Sequence, residues 1–265
     1  MATVAEIHQF LDSIAPVSMQ CLDKDNNGLL CGSESTVVTK ILVALDPFEH
    51  VCREAVEIGA QLIVTHHPLI FRPLRSITDE VATNRGVMLL CANGISALNA
   101  HTNLDCAPGG VNDVLAQTLG LTNVEVIDPM GEDAQGRPWG LLRKGEVECQ
   151  SVPSFLEHVK AALKCEGLRY VDGGRPVRNV AVGGGSCADF MIGAMRAGCD
   201  TFVTSDISYN EFWDAKERGM TLIDAGHFCT ENPVCSYLQA QLQKAFPQIQ
   251  VVLSEKHADP INFFC

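Results

Sequence analysis

The sequence predicts an α/β protein made of two similar, interlocked α/β lobes that arose by internal duplication. The first observation is alternation: short apolar runs of strand length alternate with stretches of helical periodicity, the order that builds largely parallel sheets. The second is a repeat. Residues 41–67 and 180–206 align without a gap at an offset of 139, each reading strand, loop, helix, Gly, strand and then Thr followed by polar residues.

Taken in order, the chain opens with an amphipathic helix over 3–14. Thr3 and Glu6 form a capping box, and Ile7, Phe10, Leu11 and Ile14 make its apolar stripe. Ile41 to Ala44 is a buried strand; beyond a helix and Gly59, Leu62, Ile63 and Val64 form the next, which ends in Thr65-His66-His67-Pro68. Ile95 to Leu98 is a third strand, with His101 just past it and a helix over 111–119. The stretch 128–140, rich in Gly, Pro and Asp, is the expected linker between a first lobe at 1–127 and a second at 141–265. Residues 141–148 read as an edge strand. Ser151 caps a helix running to about Lys164, with Phe155, Leu156, Val159 and Leu163 facing inward. The second lobe then repeats the order of the first. A strand ends at Val182, a Gly183-Gly184-Gly185-Ser186 turn follows, and a second strand ends in Thr204-Ser205-Asp206. A third, over 220–223, precedes His227 and Glu231 and the helix 234–246.

Composition narrows the function. A net charge of −13 and a pI near 4.9 disfavour direct nucleic-acid binding and anionic membrane surfaces, because phosphate recognition needs a cationic face. The 12 cysteines contain no Cys-x-x-Cys and lie largely in apolar stretches, so they read as reduced core residues. No apolar run approaches the ~20 residues that span a bilayer. The expectation is a soluble, cytoplasmic protein.

The chemistry lies at strand ends. Adjacent residues inside a strand point to opposite faces, so His66 and His67 serve one site only where the chain leaves the pleat, which is where Pro68 puts them. His101 stands four residues before Asp105, and His227 four before Glu231. Neutral imidazole with carboxylate is the ligand set of zinc, iron and manganese. If the three clusters converge in a cleft between the lobes, His66, His67, Asp105, His227 and Glu231 supply enough donors for two divalent metal ions per chain. Such a pair lowers the pKa of bound water towards ~7 and makes a hydroxide nucleophile, the apparatus of a hydrolase acting on a small polar substrate. His101 and Asp206 are then the expected catalytic acid–base groups. The bland alternative for Asp105 and Glu231 is capping of the helices that start near Pro108 and Pro233. The Gly183-Gly184-Gly185 turn has two readings, a loop offering N–H groups to an anion or a purely structural turn.

Five motifs give the chain a family resemblance. They are Asp25-Asn26-Asn27-Gly28-Leu29 with Gly32; Thr65-His66-His67-Pro68-Leu69; His101-Thr102-Asn103-Leu104-Asp105; Gly109-Gly110-Val111-Asn112-Asp113; and Gly226-His227 with Thr230-Glu231. With these, the chain resembles the Nif-three-like dinuclear metal centre family over nearly its whole length. Members often carry the name type 2 GTP cyclohydrolase I. The resemblance implies a two-lobed fold, metals on His66, His67, Asp105, His227 and Glu231, and a homohexameric ring with the sites facing inward. It also implies an activity of the GTP cyclohydrolase type. Two positions depart from the family pattern: Lys24 stands where a tryptophan is common, and Asn210 where a histidine is usual. The competing function is a non-catalytic metal-binding scaffold or protein-interaction protein. Open coordination positions would favour the enzyme.

Overall fold

In a computed structural model that describes residues 2–264, the chain divides into two compact units. Among the described residues one comprises 2–104 with 234–258, the other 105–233 with 259–264. The division differs from the expected boundary at 128–140. The reason is long-range strand pairing: Thr122–Ile127 pairs with Leu142–Gln150, and the late strand Gln250–Leu253 pairs with Lys40–Ala44. Residues 128–140 carry a short antiparallel pair, Gly131–Glu132 with Pro138–Trp139.

The first unit holds a five-stranded sheet in the order Gln250–Leu253, Lys40–Ala44, Leu62–Thr65, Ser96–Asn99, Gly28–Cys31. All neighbours are parallel except the last pair. Val43 lies opposite Val64, and Val64 opposite Leu98. Residues 41–44 and the strands Leu62–Thr65 and Ser96–Asn99 are buried throughout, as parallel strands covered on both faces must be. Val51, Cys52 and Ala55 of helix Glu49–Glu57 and Val87 and Leu90 of helix Ala82–Ala92 pack on Leu42, Ala44 and Ile63. The opening helix runs Val4–Ile14 behind the expected capping box, Thr3 with Glu6.

The second unit holds a six-stranded sheet in the order Arg169–Val171, Thr221–Asp224, Thr201–Thr204, Val177–Val182, Leu142–Gln150, Thr122–Ile127. Only the pairings of Thr201–Thr204 with Thr221–Asp224 and Val177–Val182 are parallel; the outer three pairings are antiparallel, against the expectation of a largely parallel sheet. The predicted edge strand, Leu142–Gln150, is interior, because Thr122–Ile127 takes the outer place. Successive residues feed opposite faces. Val180, Val182, Val203 and Ile223 meet Phe155 and Val159 of helix Val152–Leu163. Ala181, Phe202 and Leu222 meet Met191, Ala194 and Ala215.

Some positions 139 residues apart make similar bonds. Gln61 Oε1 accepts from the N–H groups of Thr39 and Lys40, and the Asp200 carboxylate accepts from those of Arg178 and Asn179. Thr65 O and Thr204 O, also 139 residues apart, each accept from the N–H of an alanine beyond the next strand, Ala100 and Ala225. Among the described residues no disulfide joins the cysteines, and no helix is long and apolar enough to cross a membrane.

Candidate metal centre

In the first unit, the strand Leu62–Thr65 delivers the histidine pair. Thr65 Oγ1 donates to His67 O at 2.7 Å, and His67 N donates to Leu45 O at 2.9 Å, which turns the chain out of the pleat. The His66 and His67 rings then lie 4.9 Å apart, centroid to centroid, with the His101 ring 5.3 and 5.6 Å from them. One ring nitrogen from each of the three falls within 4.8 Å of the others. A groove beside His67 is lined by Asp46, Pro47, Phe48 and Thr83.

All the histidines named in the sequence are held by Nδ1. His66 Nδ1 meets Ala100 O at 2.9 Å, His67 Nδ1 meets Asp46 Oδ1 at 2.7 Å, and His101 Nδ1 meets Asp25 Oδ1 at 2.6 Å. In the second unit, His227 Nδ1 meets Asp206 Oδ2 at 2.6 Å. A carbonyl or a carboxylate only accepts, so each Nδ1 carries a proton, and in the neutral rings of His66, His67 and His101 Nε2 is left as the lone-pair nitrogen; His227 faces a carboxylate at both nitrogens, Asp206 at Nδ1 and Glu231 at Nε2. This is the outer-shell arrangement that orients metal-ligating histidines. At Asp25, burial pushes the carboxyl up, but hydrogen bonds from His101 and Thr102 outweigh it and hold the group well below the usual carboxylate range.

In the second unit, His227 and Glu231 share one side of the short helix His227–Glu231, with Nε2 3.1 Å from Oε2. Glu231 is buried although it is a carboxylate, and so is Asp105. The Asp105 main chain is fixed by Asn112, whose Nδ2 donates to Asp105 O and Leu141 O while its Oδ1 accepts from Gly184 N. Next in the chain, Cys106 O and Ala107 O accept from the guanidinium of Arg143, which is 1% exposed and ion-paired with Asp113 at 2.7 Å. Asp105 does not cap the following helix: Gly110 takes the N-cap position of Val111–Thr118 without a side-chain bond.

The glycine-rich turn is not an anion cradle at its glycines. Gly183 N donates to Val203 O, Gly184 N to Asn112 Oδ1, Gly185 N to Thr230 Oγ1 and Cys187 N to Thr204 Oγ1. The turn instead lets backbone approach the helix His227–Glu231. Gly185 has φ +66°, and a Cβ there would overlap the Glu231 carboxylate and crowd His227 Nε2. Asn210, in the first turn of helix Tyr209–Arg218, is exposed, as is Lys24.

Sequence reasoning missed Asp25, Asp46, Asn112, Arg143 and Gly185 as supports of these groups. Asp25, Asn112 and their neighbours belonged to the resemblance motifs, a signal that they matter without saying how. Asp206, expected as an acid–base group, sits behind His227 as its Nδ1 acceptor.

Three comparisons bear on this arrangement. The family profile described as Duf34/NIF3 (NGG1p interacting factor 3) matches residues 2–260. A Clostridium perfringens protein named GTP cyclohydrolase 1 type 2 homolog is 34% identical over 97% of this chain and 98% of its own length. A Schizosaccharomyces pombe protein named Protein NIF3 homolog is 30% identical over 90% of each chain. The crystal structure of Staphylococcus aureus hypothetical protein SA1388 superposes with a TM-score of 0.93 at 29% identity, covering 99% of both chains.

Proposed function

Because this chain belongs to the Duf34/NIF3 family and holds its histidines by Nδ1, we propose that it is a metal-dependent hydrolase of small polar substrates. His66, His67, Asp105, His227 and Glu231 would hold two divalent cations of the zinc, iron or manganese type. The observation that carries this is the Nδ1 pattern, in which three of four imidazoles lean on a carboxylate and the fourth on a carbonyl. The donor chemistry fits: neutral imidazoles and buried carboxylates suit borderline divalent cations. Such ions, when bound, acidify water towards a pKa of ~7 and polarise a substrate oxygen.

The protein's own groups do the rest. Asp46 and Asp206 hold His67 and His227 in one tautomer and one orientation. His101, carrying Nδ1–H, takes up and returns a proton at Nε2. Asn112 and Arg143 keep the main chain around Asp105 in place. The curated relative's name, GTP cyclohydrolase 1 type 2 homolog, supports a GTP cyclohydrolase type of activity as the first to assay. The same reading expects a homohexameric ring, which light scattering on the eluted protein measures.

The test is metal content per chain on protein purified without chelator or affinity tag, followed by GTP turnover on that sample. Two equivalents with turnover support the full reading. Two equivalents without turnover keep the centre and replace the substrate. Less than one equivalent, not restored by zinc, iron or manganese, favours a protein-interaction role instead.

A further inference from the structure

We propose that Asp25 is a positioning residue that fixes the orientation of the His101 ring and its Nδ1–H tautomer. The inference deepens the acid–base role proposed for His101 and rests on it.

Asp25 stands in the loop Asp25-Asn26-Asn27-Gly28, and its side chain is 0% exposed, against 21% for Asp46 and 51% for Asp206. Its Oδ1 accepts from His101 Nδ1 at 2.6 Å and from Asn26 N at 2.8 Å. Its Oδ2 accepts from Thr102 N at 3.1 Å, Thr102 Oγ1 at 2.5 Å and Asn27 Nδ2 at 3.0 Å. The contacts thus aim donors at both oxygens, and these hydrogen bonds outweigh burial and hold the carboxyl well below the usual carboxylate range, so Asp25 is the anion. An anion at 2.6 Å from Nδ1 requires the proton to be on Nδ1.

The loop grips the backbone as well as the ring. Asn27 Oδ1 accepts from His101 N at 2.8 Å. Asn26 Nδ2 donates to Ile70 O at 2.5 Å, and Asn99 Nδ2 donates to Asn26 O at 3.0 Å, so the loop is tied to the chain just beyond His67 and to the strand that precedes His101. The Phe71 ring stands edge-on to His101 at 6.0 Å. A ring held at Nδ1 and bounded in this way has one orientation, which a proton carrier needs if the same nitrogen is to face the substrate each cycle.

The experiment is a long-range 1H–15N spectrum of protein labelled with 15N-histidine, recorded after chelation and again after zinc loading. The His101 signals are assigned by their loss in His101→Gln. The expected wild-type result is a pyrrole-type Nδ1 and a pyridine-type Nε2. In Asp25→Asn the pyrrole-type Nδ1 signal is lost or averaged with Nε2, and Asp25→Glu restores it at least in part. Zinc content of Asp25→Asn stays at the wild-type value, because the Asp25 hydrogen bonds run to His101, Thr102 and its own loop. A wild-type His101 protonated at Nε2, or an unchanged tautomer in folded Asp25→Asn, overturns the proposal. If Asp25→Asn does not fold, the wild-type spectrum decides alone. Failure of wild-type protein to bind zinc would instead sink the metal reading, and the spectrum after chelation would still report on Asp25.

Discussion

Gly185 brings its backbone against Glu231 so closely that a single added methyl would occupy the place of the carboxylate. Gly185→Ala is therefore expected to displace Glu231 and to remove at least one metal equivalent, read by elemental analysis of purified protein. Gly59→Ala is the control. Gly59 has a similar backbone, φ +68°, but open space around its Cβ position, so it should cost only the strain of about 1–2 kcal/mol in urea unfolding and leave metal content unchanged.

Glu231→Ala and His67→Ala should each lose at least one metal equivalent while far-ultraviolet circular dichroism stays native. Full metal retention by both would eliminate the proposed ligand set. Asn210→His makes the opposite case: Asn210 is exposed, so the substitution should leave metal stoichiometry as it is. A change in loading would bring Asn210 to the centre.

Arg143 is buried with four carbonyls and one carboxylate as partners. Arg143→Met removes the charge and leaves those acceptors facing an apolar chain. Breaking a buried pair from one side costs about 3–5 kcal/mol, with the lower end apt here because Asp113 keeps some solvent contact. Urea unfolding measures it. Because the Cys106 and Ala107 carbonyls lose their anchor, metal affinity should fall as well, seen in a chelator competition.

The buried thiols set a pH limit. Burial pushes Cys52 and Cys199 from an ordinary 9.0 up to about 11. A group whose pKa is raised on folding stabilises the fold below its unfolded value and loses that contribution as pH rises through the folded value. Stability should therefore decline between about pH 9 and pH 11, measured by urea midpoints in that window. At pH 8 a disulfide reagent should label the exposed Cys149 quickly and reach Cys52 and Cys199 only on unfolding.

What the sequence discloses depends on how local its cause is. The capping box at Thr3 and Glu6 spans three residues, and the exit of His66-His67 from its strand is announced by Pro68, so both are readable. Asp46 and Asp25 lie 21 and 76 residues from the imidazoles they hold, and nothing in their own neighbourhoods says so. Leu142–Gln150 was expected at an edge because Thr122–Ile127, mostly exposed, carries only the short alternation Asn123-Val124-Glu125-Val126 to mark it as a strand. Nor does local sequence announce that Gln250–Leu253 joins a sheet whose next strand lies some two hundred residues earlier. Gly185 was visible as a glycine-rich turn, but the atom it makes way for belongs to a helix further along the chain.

The side-chain clamps of Gln61 and Asp200 supply the molecule with its own reference experiment. Each closes the start of the neighbouring strand by accepting two successive N–H groups, one with a neutral amide and the other with a carboxylate. Replacing Asp200 by Asn, or Gln61 by Glu, changes the charge of one clamp and leaves the other as it is. Amide exchange at Thr39 and Lys40, compared with Arg178 and Asn179 in the same tube, would then separate the contribution of charge from that of geometry.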